Sequence, residues 1–153
     1  MDITDRTILQ VLQRNAKITT RELAESLHLT VTPTYERVKR LEREGVIKGY
    51  RAELDRHRLG LGLMAFCNVS LEAHHTEFID QFEQDIQSLQ EVVACYHVAG
   101  VFDYLLQVIV PDMDTYQYFV ARKLAALPNI GKVQSLFVMT EVKVSTELPI
   151  LKD

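Results

Sequence analysis

The run with the clearest chemical capacity is Thr32, Thr34, Tyr35, Glu36, Arg37, Lys39 and Arg40, which interleaves short hydrogen-bonding side chains with guanidinium and ammonium groups. In a DNA major groove, base edges are read by short polar groups and forked donors while phosphates are held by Lys and Arg, so the mixture suits a duplex. Thr32, Thr34, Tyr35, Glu36 and Arg40 are the base-facing candidates; Arg37, Lys39, Lys48 and Arg51 are the phosphate-holding ones. Other clusters have simpler explanations. His74 and His75 stand beside Glu77, but adjacent histidines in a strand point apart and no further metal ligands follow. Asp112 and Asp114 precede a helix, where capping accounts for both. Cys67 and Cys95 sit in apolar runs with no CxxC and no Cys/His cluster, so they read as buried fillers, and nearby His97 as a core or interface histidine. With no Ser/His/Asp spacing, phosphate loop or GxGxxG, no enzyme, metal site or cofactor is expected.

A helix must carry the Thr32–Arg40 run if it is to enter a groove. Asp2 and Asp5, favourable at the positive end of a helix dipole, precede Ile8, Val11 and Leu12 at helical spacing, so a first helix is expected over about 4–15. Thr19 and Glu22 form a capping box that opens a second helix, 20–27. Thr30 is the expected N-cap of a third, with Pro33 in its first turn and Gly45 ending it. Its apolar stripe reads Val31, Thr34 or Tyr35, Val38 and Leu41. Val46–Leu54 alternates as a wing strand would. Two short helices joined by a tight turn, the second small and basic at its tip, make a helix-turn-helix, here with a wing.

Periodicity breaks across 55–62, the expected hinge. Beyond it come a strand near 62–72 with both faces mostly apolar, a helix at 76–89, two β-rich runs at 92–98 and 104–110, a helix from Pro111 to just before Pro128, and a final strand at 132–144. The order βαββαβ predicts a ferredoxin-like antiparallel sheet with both helices on one face, leaving the other face for a second subunit. The fold class is therefore α+β: a winged helix-turn-helix domain at 1–54, a hinge at 55–62, and a ferredoxin-like sandwich domain at 63–153.

Charge divides along the same line. The 153-residue chain carries a net −4, yet residues 1–58 sum to +3 and residues 59–153 to −7, so a polyanion partner fits only the first part. At 47% hydrophobic, with no apolar run of membrane-spanning length and an acidic start at Met1–Asp5, the chain is expected to be folded, free of membranes and cytoplasmic.

The stretches LAESLHLTVTPTYERVKRLEREGVIKGYRAELDRHRLGLG, VVACYHVAGVFDYLLQVIVPDMDTYQYF and SLFVMTEVK together resemble the Lrp/AsnC (leucine-responsive / asparagine regulator) family of transcription factors. The resemblance spans essentially the whole chain, and the AGVFDYLL turn is its most specific piece. It implies double-stranded DNA as a partner, homodimers that commonly join as octamers, and a small amino-acid effector bound between dimers. Val101 stands where the leucine-responsive member has an acidic residue, so effector identity does not carry over.

On that implication, the expected effector site is the turn Ala99, Gly100, Val101, Phe102, Asp103, helped by Ser135, Val138 and Met139. Gly100 permits close backbone approach, Asp103 can accept from an ammonium or close its own turn, and the apolar neighbours favour an apolar or sulfur-containing side chain. The rival reading is a tetrapyrrole enzyme of sirohaem decarboxylase type, which shares this architecture. It is disfavoured because Arg122 is the only arginine after Arg58, poor provision for a polycarboxylate.

Overall fold

The computed structural model describes residues 1–150. Two units emerge: Met1–Glu53 together with the segment from Lys143, and Leu54–Val142.

In the first unit, α1 (Ile3–Arg14), α2 (Thr20–Ser26) and α3 (Val31–Arg43) close on Ile8, Leu23 and Leu41. Thr19 with Glu22 forms the expected capping box, and Asp2 with Asp5, expected only as dipole partners, forms another, each pair satisfying otherwise orphaned N–H groups at its helix end. Thr30 holds the N-cap backbone conformation of α3 but makes no side-chain cap bond. His28 takes the left-handed conformation, φ 54°, that turns the chain between α2 and α3. Gly45, φ 72°, follows the C-cap of α3, where a side chain would be strained. Thr34 resolves the ambiguous stripe. It is fully buried while Tyr35 and Val31 are about half exposed, so the core face of α3 runs Thr34, Val38, Leu41.

The expected wing strand is not formed by this chain alone. Residues 46–54 are in no helix and pair with no strand among the described residues. Alternation sets which way side chains face, whereas a strand also needs a hydrogen-bonding neighbour. The segment 55–62, where the hinge is expected, carries its own bonds. Asp55 accepts from the N–H groups of His57 and Arg58, and Arg56 donates to the carbonyls of Leu61 and Gly62 and pairs with Glu141. These bonds make the segment a fastened turn of the second unit.

That unit has the expected order: β1 (Leu63–Leu71), α4 (Thr76–Gln87), β2 (Val92–His97), β3 (Tyr104–Val110), α5 (Met113–Tyr118) and β4 (Ile130–Phe137). The sheet runs β2-β3-β1-β4 with every pair antiparallel. Ala65, Cys67, Val69 and Leu71 alternate inward with Tyr104, Leu106, Val108 and Val110, and Phe82, Ile86, Tyr116, Phe119 and Leu124 from the helical layer cover that face. After α5 the helix continues as a π turn over Phe119–Leu124, where an ordinary α-helix was expected to reach Pro128. Two fully buried residues five apart, Phe119 and Leu124, suit the wider turn, and the Ala125 N–H reaches the Val120 carbonyl. Asp112 caps α5 through the Thr115 N–H, as its position implied.

The final strand departs from expectation at both ends. It begins at Ile130 with a bulge opposite Ser70 and Leu71, and it stops at Phe137 opposite Ala65, because β1 begins only at Leu63. Val144 is therefore outside the sheet. The segment from Lys143 belongs with the helical unit, where the Gln13 side-chain amide grips both backbone groups of Leu148 and Arg14 pairs with Glu147. The compact second unit accordingly runs from Leu54 to Val142.

The facing of α3 yields a direct contrast. Leu41→Ala should lower unfolding stability by about 2–5 kcal/mol and Val31→Ala by less than about 0.5 kcal/mol, read by chemical denaturation.

Candidate nucleic-acid interface and effector turn

The exposed face of α3 carries Thr32, Tyr35, Glu36 and Lys39, with Arg37 and Arg40 partly exposed beside them. Thr34 is corrected out of the base-facing set, since its hydroxyl donates 3.0 Å to the Thr30 carbonyl from within the core. The remaining charged members have intramolecular partners that the sequence did not announce. Arg37 Nη1 bonds Asp2 Oδ2 at 2.6 Å and Asp5 Oδ1 at 2.8 Å, and Arg40 Nη2 bonds Asp5 Oδ2 at 2.7 Å. Lys39 pairs with Glu42 at 2.7 Å and lies over the Tyr35 ring; Glu42 also accepts from Tyr50. Among the described residues neither Lys48 nor Arg51 is in an ion pair. Pro33, Glu36, Arg37, Arg40 and Arg43 line a shallow concavity along the helix. Arg43 was not a sequence candidate, although its spacing from Arg40 places it one turn on.

The Asp2 carboxyl is lowered from 3.8 to about 2, first by the Asp5 N–H that it accepts and then by the Arg37 guanidinium. A depressed carboxyl stabilises the fold fully above its ordinary value and loses that contribution as pH falls toward 2.

In the second unit the loop between β2 and β3 is fastened at its base. The Val98 N–H donates to the Asp103 carbonyl at 2.8 Å, and the Asp103 N–H donates to the Val69 carbonyl at 3.0 Å. The Asp103 carboxylate is fully engaged: Oδ2 accepts from the Leu71 N–H at 2.7 Å, and Oδ1 lies 2.9 Å from His74 Nε2. Burial pushes that carboxyl up, but the Leu71 N–H and the His74 ring outweigh it and hold it below the ordinary range. Asp103 therefore secures the turn, and His74, set aside as a metal ligand, is its partner. Gly100 has φ 149°, a conformation side chains rarely adopt, and Val101 is 89% exposed.

The turn and the expected helpers from β4 do not all meet. β4 runs antiparallel to β1, so its start lies beside the turn and its end lies at Met64, where the Val138 N–H reaches the Met64 carbonyl. Val69 and Met64 are five residues apart along β1, roughly 17 Å. Within one chain Val138 and Met139 are thus at the opposite end of the sheet from Gly100. Ser135 is mid-strand opposite Cys67, and its hydroxyl accepts from Tyr116 at 2.6 Å. Lys132 is the β4 residue that approaches, with its ammonium 5.7 Å from the Phe102 ring centroid. The antiparallel order of the elements could have revealed this. His97 is 56% exposed and stacks on Tyr104, so it is not a core residue. Burial pushes the Cys67 thiol up and the Cys95 thiol up to about 11, which makes both poor nucleophiles.

Residues 1–48 match the winged helix-turn-helix DNA-binding family, and residues 64–148 match the Lrp/AsnC ligand binding domain. The chain is also 40% identical over 150 residues to the leucine-responsive regulatory protein of Escherichia coli, covering 98% of this chain and 92% of that one. The chain belongs to the Lrp/AsnC family. Two solved structures of transcriptional regulators agree with the fold. A transcriptional regulator from Neisseria meningitidis, solved as its L-Met complex, is 37% identical with a TM-score of 0.94, covering 97% of this chain and 96% of that one. An AsnC family regulator from Agrobacterium tumefaciens is 35% identical with a TM-score of 0.93, covering 97% of each chain. The chain is a DNA-binding regulator of Lrp/AsnC type with an amino-acid ligand-binding domain, and these relatives lend the tetrapyrrole-enzyme reading no support.

Two outcomes follow from the helical unit. Asp2→Asn should flatten the loss of stability between about pH 4 and pH 2, measured by circular dichroism against wild type. Lys48→Ala should weaken binding to all duplexes alike and lower the salt slope by about 0.9, whereas Thr32→Ala should change sequence preference.

Proposed function

We propose that this regulator reads a pseudo-palindromic duplex as a homodimer and responds to an amino acid with an apolar or sulfur-containing side chain. Thr32, Tyr35 and Glu36 face base edges. Arg37 and Arg40 reach DNA with their outward donors, and Lys39, Lys48 and Arg51 hold phosphates. Met64, Phe66, Leu105, Ile109 and Leu136 lie on the sheet face opposite the helices, and burying that face against a second copy removes apolar surface from water. Twofold pairing sets two copies of α3 about 34 Å, or a multiple, apart, matching one helical turn of DNA. Joining of dimers to octamers and a cytoplasmic location accord with the family; no described helix is long and apolar enough to cross a membrane.

The observation that carries the effector reading is the state of residues 99–102. Their backbone N–H and C=O groups enter no hydrogen bond among the described residues, while Asp103 on one side and Val98 on the other are firmly bonded. Free donors and acceptors on a fixed base suit an α-carboxylate and an α-ammonium. Because Val101 is almost wholly exposed, one chain supplies a single wall, and a second copy supplies the other. Val138 and Met139 can join the site only from such a copy. Phe102 and Val101 favour an apolar ligand, since burying a charged side chain against them costs its hydration. The L-Met complex of the Neisseria regulator supports a ligand of that class. Effector and assembly then share a surface, so each must alter the other's equilibrium by the same factor.

Calorimetric titration of leucine, methionine and aspartate into wild type and Gly100→Val tests the site. Methionine or leucine should bind wild type at least about tenfold tighter than aspartate, and Gly100→Val should lose that binding because valine cannot hold φ 149° without strain. Equal binding by both proteins would place the site elsewhere, and a preference for aspartate would overturn the ligand class. Sedimentation should show no monomer at micromolar concentration.

A further inference from the structure

We infer that Asp5 is a positioning residue for DNA recognition, acting through Arg37 and Arg40; the inference rests on the reading of α3 as the helix that meets DNA. Asp5 is 1% exposed at the start of α1, yet its carboxylate holds two guanidiniums of α3. The carboxylate accepts from the Asp2 N–H at 2.9 Å, Arg37 Nη1 at 2.8 Å and Arg40 Nη2 at 2.7 Å, so both oxygens are committed. The arginines are committed in part, Arg40 also through Nε, which lies 3.9 Å from Glu44 Oε1. Their side chains remain 30% and 40% exposed and line the concavity with Pro33, Glu36 and Arg43. Arg37 spends Nη1 on Asp5 and Asp2, while its Nε and Nη2 enter no hydrogen bond among the described residues.

A guanidinium fixed at its inner edge by a buried carboxylate presents its outer edge at a set place and angle. Forked recognition of a base or phosphate needs that, because the two donors must meet two acceptors at once. A free arginine would have to give up rotamer freedom on binding, whereas here the loss is taken during folding. The second effect concerns charge. Two guanidiniums facing Asp2 and Asp5 form a cluster near neutrality, which moderates the sequence-independent pull on phosphates. Asp5 therefore raises the contrast between the right duplex and any duplex, through geometry on one side and reduced background attraction on the other. A carboxylate that merely held α1 against α3 would not separate these two quantities.

The test uses the full-length protein, a duplex enriched by wild type from a random-sequence pool, and an unselected random duplex, over a salt series. Asp5→Asn should bind the enriched duplex at least about tenfold more weakly while its affinity for the random duplex is unchanged or higher, with a salt slope steeper by up to about 0.9. Parallel weakening on both duplexes, or no change on either, would overturn the inference. Should Asp5→Asn fail to fold, Asp5→Glu keeps the charge but moves it by one methylene. A lowered ratio of the two affinities in that variant supports positioning, and a wild-type ratio overturns it. If wild type enriches no duplex, the reading of α3 fails first.

Discussion

The antiparallel register of β1 against its two neighbours governs where everything in the second unit can lie. Its backbone holds the β2–β3 loop through the Val69 carbonyl and the Leu71 N–H, and its other edge fixes β4 from Ile130 to Phe137. Side chains on a strand alternate strictly, so the same nine residues also decide which face meets the helices and which stays open. A slip of one position would turn Ala65, Cys67, Val69 and Leu71 out of the core and move the loop's anchor at the same stroke. The bonds of Asp103 and of Asn129, whose side-chain amide grips both backbone groups of Ala73, secure the end of β1 where such a slip would begin.

Much of this was legible in the sequence because it depends on local chemistry. Asp2, Thr19, Asp112 and Gly45 each mark a helix end through a bond or conformation reached within a few residues, and the strands and helices of the second unit appear in the order that periodicity gives. What periodicity cannot supply is the partner. Residues 46–54 and 138–144 both alternate, yet neither is in a strand here, since neither pairs with a neighbouring strand among the described residues. Spacing alone could not choose between Thr34 and Tyr35, because either continues a stripe to Val38. The choice falls to threonine, whose hydroxyl finds the carbonyl one turn back and whose small bulk fits against the other helices.

The candidate site was legible in part for the same reason. That α3 is basic can be counted; that Asp2 and Asp5 take up Arg37 and Arg40 depends on the packing of α1 across α3, more than thirty residues away. Reading those two acids only as dipole partners of α1 overlooked their other lone pairs. The expected need for glycine at position 100 matches its φ of 149°, whereas the helpers from β4 were chosen by proximity in an assumed pocket. Strand direction places Lys132 near the turn and Met139 far from it.

The bonds from Gln13 to Leu148 span 135 residues. The helical unit consequently joins segments made before and after the whole sheet unit. At translation rates of about 5–20 residues per second, Gln13 waits roughly 7–27 s for its partner. During that interval α1, α2 and α3 can close on Ile8, Leu23 and Leu41, but the outer side of α1 stays uncovered. A chain interrupted before Leu148 therefore carries three helices without that strap.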